Sequence, residues 1–211
     1  MKNSDTCFYV DATSDNSALQ IKDYLIKELK PIVKSNRPII FLCIGTDRST
    51  GDSLGPLVGH KLSQLKRENF YVFGNLSNPV HSKNLVSILN KIQLTFDNPY
   101  IVAIDACLGS LKNIGKVFIE KKPLMPGAAM NKDLPSVGDM SITGIVNISG
   151  SFEFMVLQNT RLYIVMLLAD AIATAIYHFI LKSSKGRKRL IDIIESKYIS
   201  STEIKNWWLI R

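Results

Sequence analysis

The sequence predicts an α/β protein, a three-layer sandwich around a mostly parallel, twisted sheet. Two short and continuous apolar runs, at residues 39–44 and 100–104, are typical of strands that are buried on both faces. A further strand pattern and two helical patterns lie between them, which is the alternation of a parallel sheet. The 211 residues, 46% hydrophobic and 21% charged, can form one sizeable core, and this composition excludes an intrinsically disordered chain.

The first half of the chain predicts a polar lead, a helix and a βαβαβ unit. Ser17 and Gln20 have capping-box spacing, so we expect a helix from Ser17 to about residue 30, where Pro31 ends or bends it. The predicted strands are residues 39–44, 70–76 and 100–104, and the predicted helices between them begin near Pro56 and at a Ser82 cap.

The second half predicts a less regular succession of elements. Residues 115–121 are expected to form an edge or hairpin strand, and a long loop with three prolines follows at 123–140. Residues 142–148 and 152–157 are expected to pair as two strands, before a long apolar helix at 162–181 and a basic helix near 187–197. We expect an N-terminal polar lead and helix at 1–36 and a single α/β domain at 37–211.

The apolar helix at 162–181 has the length of a membrane span but carries a polar stripe. Asp170, Thr174 and His178 recur at i, i+4 spacing, and burying the aspartate alone in lipid costs about 2.5–3.5 kcal/mol. We therefore expect a core helix and no membrane association. The polar N-terminus lacks a secretory signal and the three cysteines are far apart, so we expect a cytoplasmic protein.

The charge and the motifs bear on four classes of ligand: acidic partners, nucleic acids, phosphate groups and cofactors. A balance of 26 basic against 18 acidic residues gives +8, which favours acidic partners without identifying one. Five of these cations lie at residues 182–189, a pattern typical of a solvated helix end, with nucleic-acid binding as the less favoured alternative. The glycine-flanked loop at 45–53 lacks the lysine of a P-loop, and Asp47 and Asp52 would repel phosphate. No cofactor is expected.

Two aspartates mark a candidate site at the carboxyl ends of the predicted strands. Ligands of open parallel sheets bind where the strand order reverses, and that crevice would lie between residues 45–55 and 105–110. The adjoining helix N-terminus would favour the ionised form of Asp52, whereas poor solvation after an apolar strand would raise the pKa of Asp105. Unequal carboxylates can act as general base and general acid on an amide. The alternative is that Asp52 only caps its helix and Asp105 only ends its strand.

Thiol and metal chemistry have weaker support in the sequence. Cys107 lies two residues from Asp105, whose charge would raise the thiol pKa, so a buried structural cysteine is the preferred interpretation. The histidines have no paired metal-ligand spacing. Asp47, Asp52 and Asp105 together could hold a hard cation, which is a third hypothesis, but the expectation is that no metal is bound.

Four sequence blocks carry a resemblance to a known family. They are FLCIGTDRSTGDSLGP at residues 41–56, AIDACLGS at 103–110, PGAAMNKDLP at 126–135 and VGDMSITG at 137–144. In this order, and over about residues 37–182, they resemble the sporulation protein YyaC family of spore-forming Firmicutes. That family is similar to the spore germination protease and, more distantly, to the hydrogenase maturation endopeptidases.

The resemblance implies a phosphorylase/hydrolase-like fold and a peptidase of the sporulation programme. The implied active carboxylates match Asp52 and Asp105, both aspartates as in the germination protease. The substrate-binding residues that we expect around them are Gly45, Thr46, Asp47, Gly127 and Lys132. The hydrogenase enzymes use an additional histidine with nickel, and residues 126–143 contain none, so the resemblance does not bring a nickel role to this chain.

The expected partner is a protein or peptide substrate, such as a spore protein, inside the sporulating cell. A noncatalytic sporulation factor that binds a protein or DNA partner through the same fold is the alternative function. The sequence does not predict an oligomeric state.

Overall fold

The computed structural model describes residues 7–126 and 135–184, in which helices flank a six-stranded sheet. The strands are β1 (Phe8–Asp11), β2 (Ile39–Cys43), β3 (Phe70–Phe73), β4 (Tyr100–Gly109), β5 (Lys116–Glu120) and β6 (Met140–Ile148). The helices are α1 (Ser17–Lys34), α2 (Leu54–Leu62), α3 (Leu85–Thr95), α4 (Glu153–Gln158) and α5 (Leu162–Ser183), with 3-10 turns at Gly51–Ser53 and Leu111–Asn113.

The sheet is mostly parallel, with the strand order β1-β5-β6-β4-β2-β3. The neighbours β6, β4, β2 and β3 are parallel, whereas β5 is antiparallel to both β1 and β6. The chain passes from β2 through α2 to β3 on one side, and then through α3 to β4 on the other side of β2. The predicted βαβαβ unit and α/β class are therefore confirmed, and the strand order reverses between β2 and β4.

Helices cover both faces of the parallel strands and complete the three layers. On one face, α1, α2 and α5 pack against a core that includes Phe41 and Ile104. On the other face, α3 packs against Ile40 and Leu42. Every residue of β2 is buried, because its side chains alternate between these two cores. This is why the strand has a continuous apolar run without polar alternation.

The polar lead contains a strand, β1, that the sequence did not predict. Only Val10 of β1 is buried, which is too little apolar pattern to identify a strand. Because β1 pairs with β5, β5 is not an edge strand and that alternative is wrong. Its antiparallel pairing with β6, the next described strand in the chain, agrees with the hairpin alternative. The division into a polar lead and helix at 1–36 and a single α/β domain at 37–211 stays a prediction.

The predicted strand at 152–157 is instead the helix α4, so the proposed strand pair is wrong. Both edges of β6 are already occupied, by β4 and β5, and no edge is free for a hairpin partner. The chain turns into α4 at Phe152, which has a left-handed φ of 59°. A short apolar run is ambiguous between strand and helix, and here the surrounding sheet decides.

Several predicted boundaries also shift. The helix α1 passes Pro31 and ends at Lys34, so Pro31 does not end it. The residue before α1 is Asn16 rather than Ser17, and the residue before α3 is Asn84 rather than Ser82. The strand β4 continues beyond its predicted end, because β6 pairs with it past the end of β2.

The helix α5 has the length and hydropathy of a membrane span, and in this structure it packs as a core helix. Leu168, Ile172 and Ile176 are fully buried between the sheet and the neighbouring helices. The polar stripe lies on the outside, where Asp170 forms a 2.7 Å ion pair with Lys61 of α2. The predicted basic helix near 187–197 lies outside the described residues.

Candidate functional site

A cleft of about 470 Å³ opens at the carboxyl ends of the parallel strands, and both Asp52 and Asp105 line it. Each of the four parallel strands contributes a wall. The loop after β2 supplies one, residues between 76 and 83 after β3 another, β4 supplies Asp105, and α4 after β6 closes the remaining side. The strand reversal therefore produces the crevice where the sequence predicted it.

Backbone contacts fix the position of Asp52 at the 3-10 turn that leads into α2. The N–H of Thr46 donates a 3.0 Å hydrogen bond to the Asp52 carbonyl. A Cβ on Gly45, which has a φ of 136°, would lie 2.0 Å from that same carbonyl oxygen, and a Cβ on Gly55 would lie 2.0 Å from the Ile44 carbonyl oxygen. Only glycine at these two positions lets the backbone segments come so close. Gly45 and Gly55 therefore allow the turn that carries Asp52 to pack directly against the end of β2.

Asp105 is held by the sheet itself rather than by a loop. The last paired residues of β2 and β4 are Cys43 and Ile104, so Asp105 stands where β2 has just ended. On its other side it pairs with Thr143 of β6. The Asp105 residue is only 8% exposed, and its Oδ1 accepts a 2.8 Å hydrogen bond from the N–H of Ala106.

The surroundings of Asp105 favour its protonated form. Burial raises the pKa of the Asp105 carboxyl well above its usual value, and the negative charge of Asp52 raises it further. The hydrogen bond from the Ala106 N–H acts in the opposite direction, but it is the smallest of the three effects. Asp52 is less buried than Asp105. The cleft thus combines a carboxyl whose pKa is raised with a second, less buried aspartate that contributes to this shift.

The other walls of the cleft differ in chemistry. On the side of the segment after β3, His81 and Lys83 line the cleft, and Arg48 adds a second exposed cation. On the opposite side, α4 presents the apolar side chains of Phe154 and Leu157. The two aspartates therefore lie between a basic wall and an apolar wall.

The structure places the predicted site residues as follows. Gly45, Thr46 and Asp47 line the same cleft as the two aspartates. Gly127 and Lys132 lie outside the described residues, although Pro126, the last described residue before them, lines the cleft. Sequence reasoning missed the α4 wall entirely, because that segment was predicted as a strand.

The described residues contain no group of three or more His, Cys, Asp or Glu side chains that could hold a metal ion. Asp47, Asp52 and Asp105 all line the cleft, but they do not form such a group. The prediction that Cys107 is buried is wrong, because the residue is exposed. Partial burial of its thiol and then the charge of Asp105 raise the Cys107 pKa, the direction that the sequence predicted for a poor nucleophile.

Comparisons with known proteins place this chain in a family. Residues 9–175 match the family described as protein of unknown function DUF1256. The uncharacterized protein YyaC of Bacillus subtilis (strain 168) is 50% identical over 165 residues, which are 78% of this chain and 80% of YyaC. Among solved structures, the NiFe hydrogenase maturation protease HycI from Thermococcus kodakarensis KOD1 is similar, with a TM-score of 0.49 and 17% identity over 72% of this chain and 98% of HycI. The extent of the family match and the identity to YyaC show that the chain belongs to the DUF1256 family, as a relative of YyaC, in agreement with the four sequence blocks.

Proposed function

We propose that the protein is a peptidase-like hydrolase in which Asp52 and Asp105 hydrolyse a peptide bond. The observation that supports this proposal is the pair of carboxylates in one cleft with unequal surroundings. Asp105 is buried and favours its protonated form, and Asp52 is the nearby negative charge that contributes to this. Pairs of titratable groups whose surroundings separate their pKa values are typical of acid and base catalysis.

In the proposed reaction, Asp52 is the general base and Asp105 is the general acid. Asp52 takes a proton from water, and the resulting hydroxide oxygen bonds to the peptide carbonyl carbon. Asp105 then gives its proton to the peptide nitrogen as the carbon–nitrogen bond breaks, which releases a carboxylic acid and an amine. Return of the proton from Asp52 to Asp105 through water restores the starting state.

The proposed substrate is a segment of a protein or peptide that lies across the strand ends. Gly45, Thr46 and Asp47 border the carboxylates and would contact its backbone. We assign Gly127 and Lys132 to the same role, since they follow the cleft residue Pro126 in the chain. The resemblance to the YyaC family supports a spore protein as the substrate and the sporulating cell as the place of action.

The test is cleavage by Asp52→Asn and Asp105→Asn variants. A mixed peptide library and purified small spore proteins would be incubated with the wild type from pH 4 to pH 8, and new termini would be identified by mass spectrometry. Initial rates would then be measured on the first sequence that is cut. Each variant should cleave it about 10²- to 10⁴-fold more slowly, because general acid or base catalysis is lost. Asp97→Asn, at an exposed aspartate that does not line the cleft, is the matched control and should cleave at the wild-type rate.

Cleavage at wild-type rates by both active-site variants would remove the proposed roles. A wild type that cuts none of these substrates would favour the alternative of a noncatalytic sporulation factor. That alternative predicts a partner retained from spore extracts by the inactive and the wild-type protein alike.

A further inference from the structure

Ser49 has the sequence spacing of a helix cap relative to Asp52, but its hydroxyl makes no capping bond. The residues Ser49 and Asp52 are three apart, as in a capping box, in which a serine hydroxyl accepts the N–H of the third residue. Here the Asp52 N–H donates instead to the Ser49 carbonyl oxygen, at 3.1 Å. The turn at Gly51–Ser53 has no side-chain cap hydrogen bond.

The Ser49 hydroxyl is also buried without a partner. Ser49 is 9% exposed, it lines the cleft, and its Oγ has no hydrogen-bond partner within the described parts of the chain. An unpaired buried hydroxyl costs free energy that alanine would not cost, so such a group calls for an explanation. The neighbouring Ser53 shows the usual arrangement, since its hydroxyl donates a 2.7 Å bond to the Thr50 carbonyl.

We propose that the Ser49 hydroxyl is a positioning group for the base, donating a hydrogen bond to the Asp52 carboxylate when substrate occupies the cleft. The inference rests on the proposed function, because it assigns Asp52 the role of base. A donor to the ionised carboxylate holds Asp52 in orientation and favours the form that can accept a proton. A buried hydroxyl that the turn itself does not bond is explained by a role in the site next to it.

The experiment compares Ser49→Ala with Ser53→Ala as the matched control. Both variants remove one buried hydroxyl from the same turn, but only the Ser53 hydroxyl is bonded. We expect Ser49→Ala to keep or raise the melting temperature while kcat falls about 10- to 100-fold, the range for loss of a hydrogen bond to a charged group. The acidic limb of its pH profile should move to higher pH, because the ionised base has lost a donor. Ser53→Ala should instead lose about 2–4 °C in Tm and keep its kcat.

The substrate is the library sequence cut by the wild type, and Asp52→Asn and Asp105→Asn are measured in parallel. A Ser49→Ala variant with wild-type kcat and pH profile would overturn the inference while the proposed function stands. A fall in its Tm equal to that of Ser53→Ala would also overturn it, since the hydroxyl would then be a structural cap. Ser49→Thr, which keeps the hydroxyl, should retain the wild-type pH limb, and a shifted limb would count against the inference. Undiminished cleavage by both aspartate variants would overturn the proposed function itself.

Discussion

The four parallel strands of the sheet line the candidate site, whereas the two remaining strands, β1 and β5, contribute mainly to the core. Each of β6, β4, β2 and β3 is followed by, or contains, a segment that lines the cleft. The strands β1 and β5 contribute buried side chains such as Val10 and Val117 to the core, and of the described residues between β5 and β6 only Pro126 lines the cleft. The site therefore depends on parallel strands whose carboxyl ends meet at one edge of the sheet, whereas any strand that buries apolar side chains can extend the core.

The two groups of strands also differ in whether backbone or side chains make their close contacts. At the carboxyl end of β2, backbone lies against backbone, and Gly45 and Gly55 make contacts that no side chain could replace. In β5, the buried Val117 and Ile119 fill a core through side chains alone. A substitution at the end of β2 should therefore destabilise the protein by forcing backbone segments apart. A substitution in β5 should destabilise it by leaving a cavity in the core.

The largest effect should follow Gly55→Ala. Its new Cβ would lie 2.0 Å from the Ile44 carbonyl oxygen, so α2 must move away from β2 and carry Asp52 with it. We expect a loss of about 3 kcal/mol in unfolding free energy and loss of cleavage by the molecules that still fold. Urea unfolding and initial rates measure the two effects. Gly150→Ala, whose Cβ would meet nothing within 4 Å, is the control and should behave as wild type.

A smaller effect should follow Val117→Ala in β5. Removal of two buried methyl groups should cost about 2 kcal/mol, including the cavity that they leave. Because no residue of β5 lines the cleft, the rate per folded molecule should not change. Val86→Ala deletes the same atoms from a side chain on α3 that is 50% exposed, and its stability should stay near the wild-type value. A fall in the rate per folded molecule for Val117→Ala would contradict the division between the two groups of strands.

The smallest effect, counted per pH unit, should be the pH dependence that Asp105 gives to stability. Since the fold raises the pKa of this carboxyl, the folded protein keeps a proton that the unfolded chain releases above about pH 4. Wild-type stability should therefore fall as pH rises from about 4 through the raised folded value, by at most about 1.4 kcal/mol per pH unit. Asp105→Asn does not titrate, so its advantage in Tm over the wild type should grow with pH. A difference in Tm between Asp105→Asn and the wild type that stays constant with pH would contradict the prediction.

Much of the parallel part could be predicted from the sequence, because its signals are local. The strand β2 is buried on both faces and therefore has an unbroken apolar run, and β4 has the same pattern up to Ile104. The crevice between β2 and β4 then follows from the general rule for reversed strand order. The direction of the Asp105 pKa shift also follows, since a carboxyl after such a run is poorly solvated.

The remaining elements depend on contacts that are distant in sequence. The strand β1 exists because β5, more than 100 residues later, offers it an edge. The helix α4 forms where β6 has no free edge left, so Phe154 and Leu157 reach the cleft without any signal in their own sequence. The unbonded hydroxyl of Ser49 could not be foreseen either, because its spacing to Asp52 predicts a cap.

The different supports of Asp52 and Asp105 have a consequence for hydrogen exchange. Asp105 belongs to a central strand, and its backbone can become exposed only when the sheet opens. Asp52 lies in a short turn that a local fluctuation can open; its carbonyl accepts a hydrogen bond from the Thr46 N–H, and its own N–H donates one to the Ser49 carbonyl. Amides of the 46–52 loop should then exchange faster than those of β4. Such a fluctuation would separate the two carboxyl groups while the domain stays folded, so the proposed activity could be lost on heating before the protein unfolds.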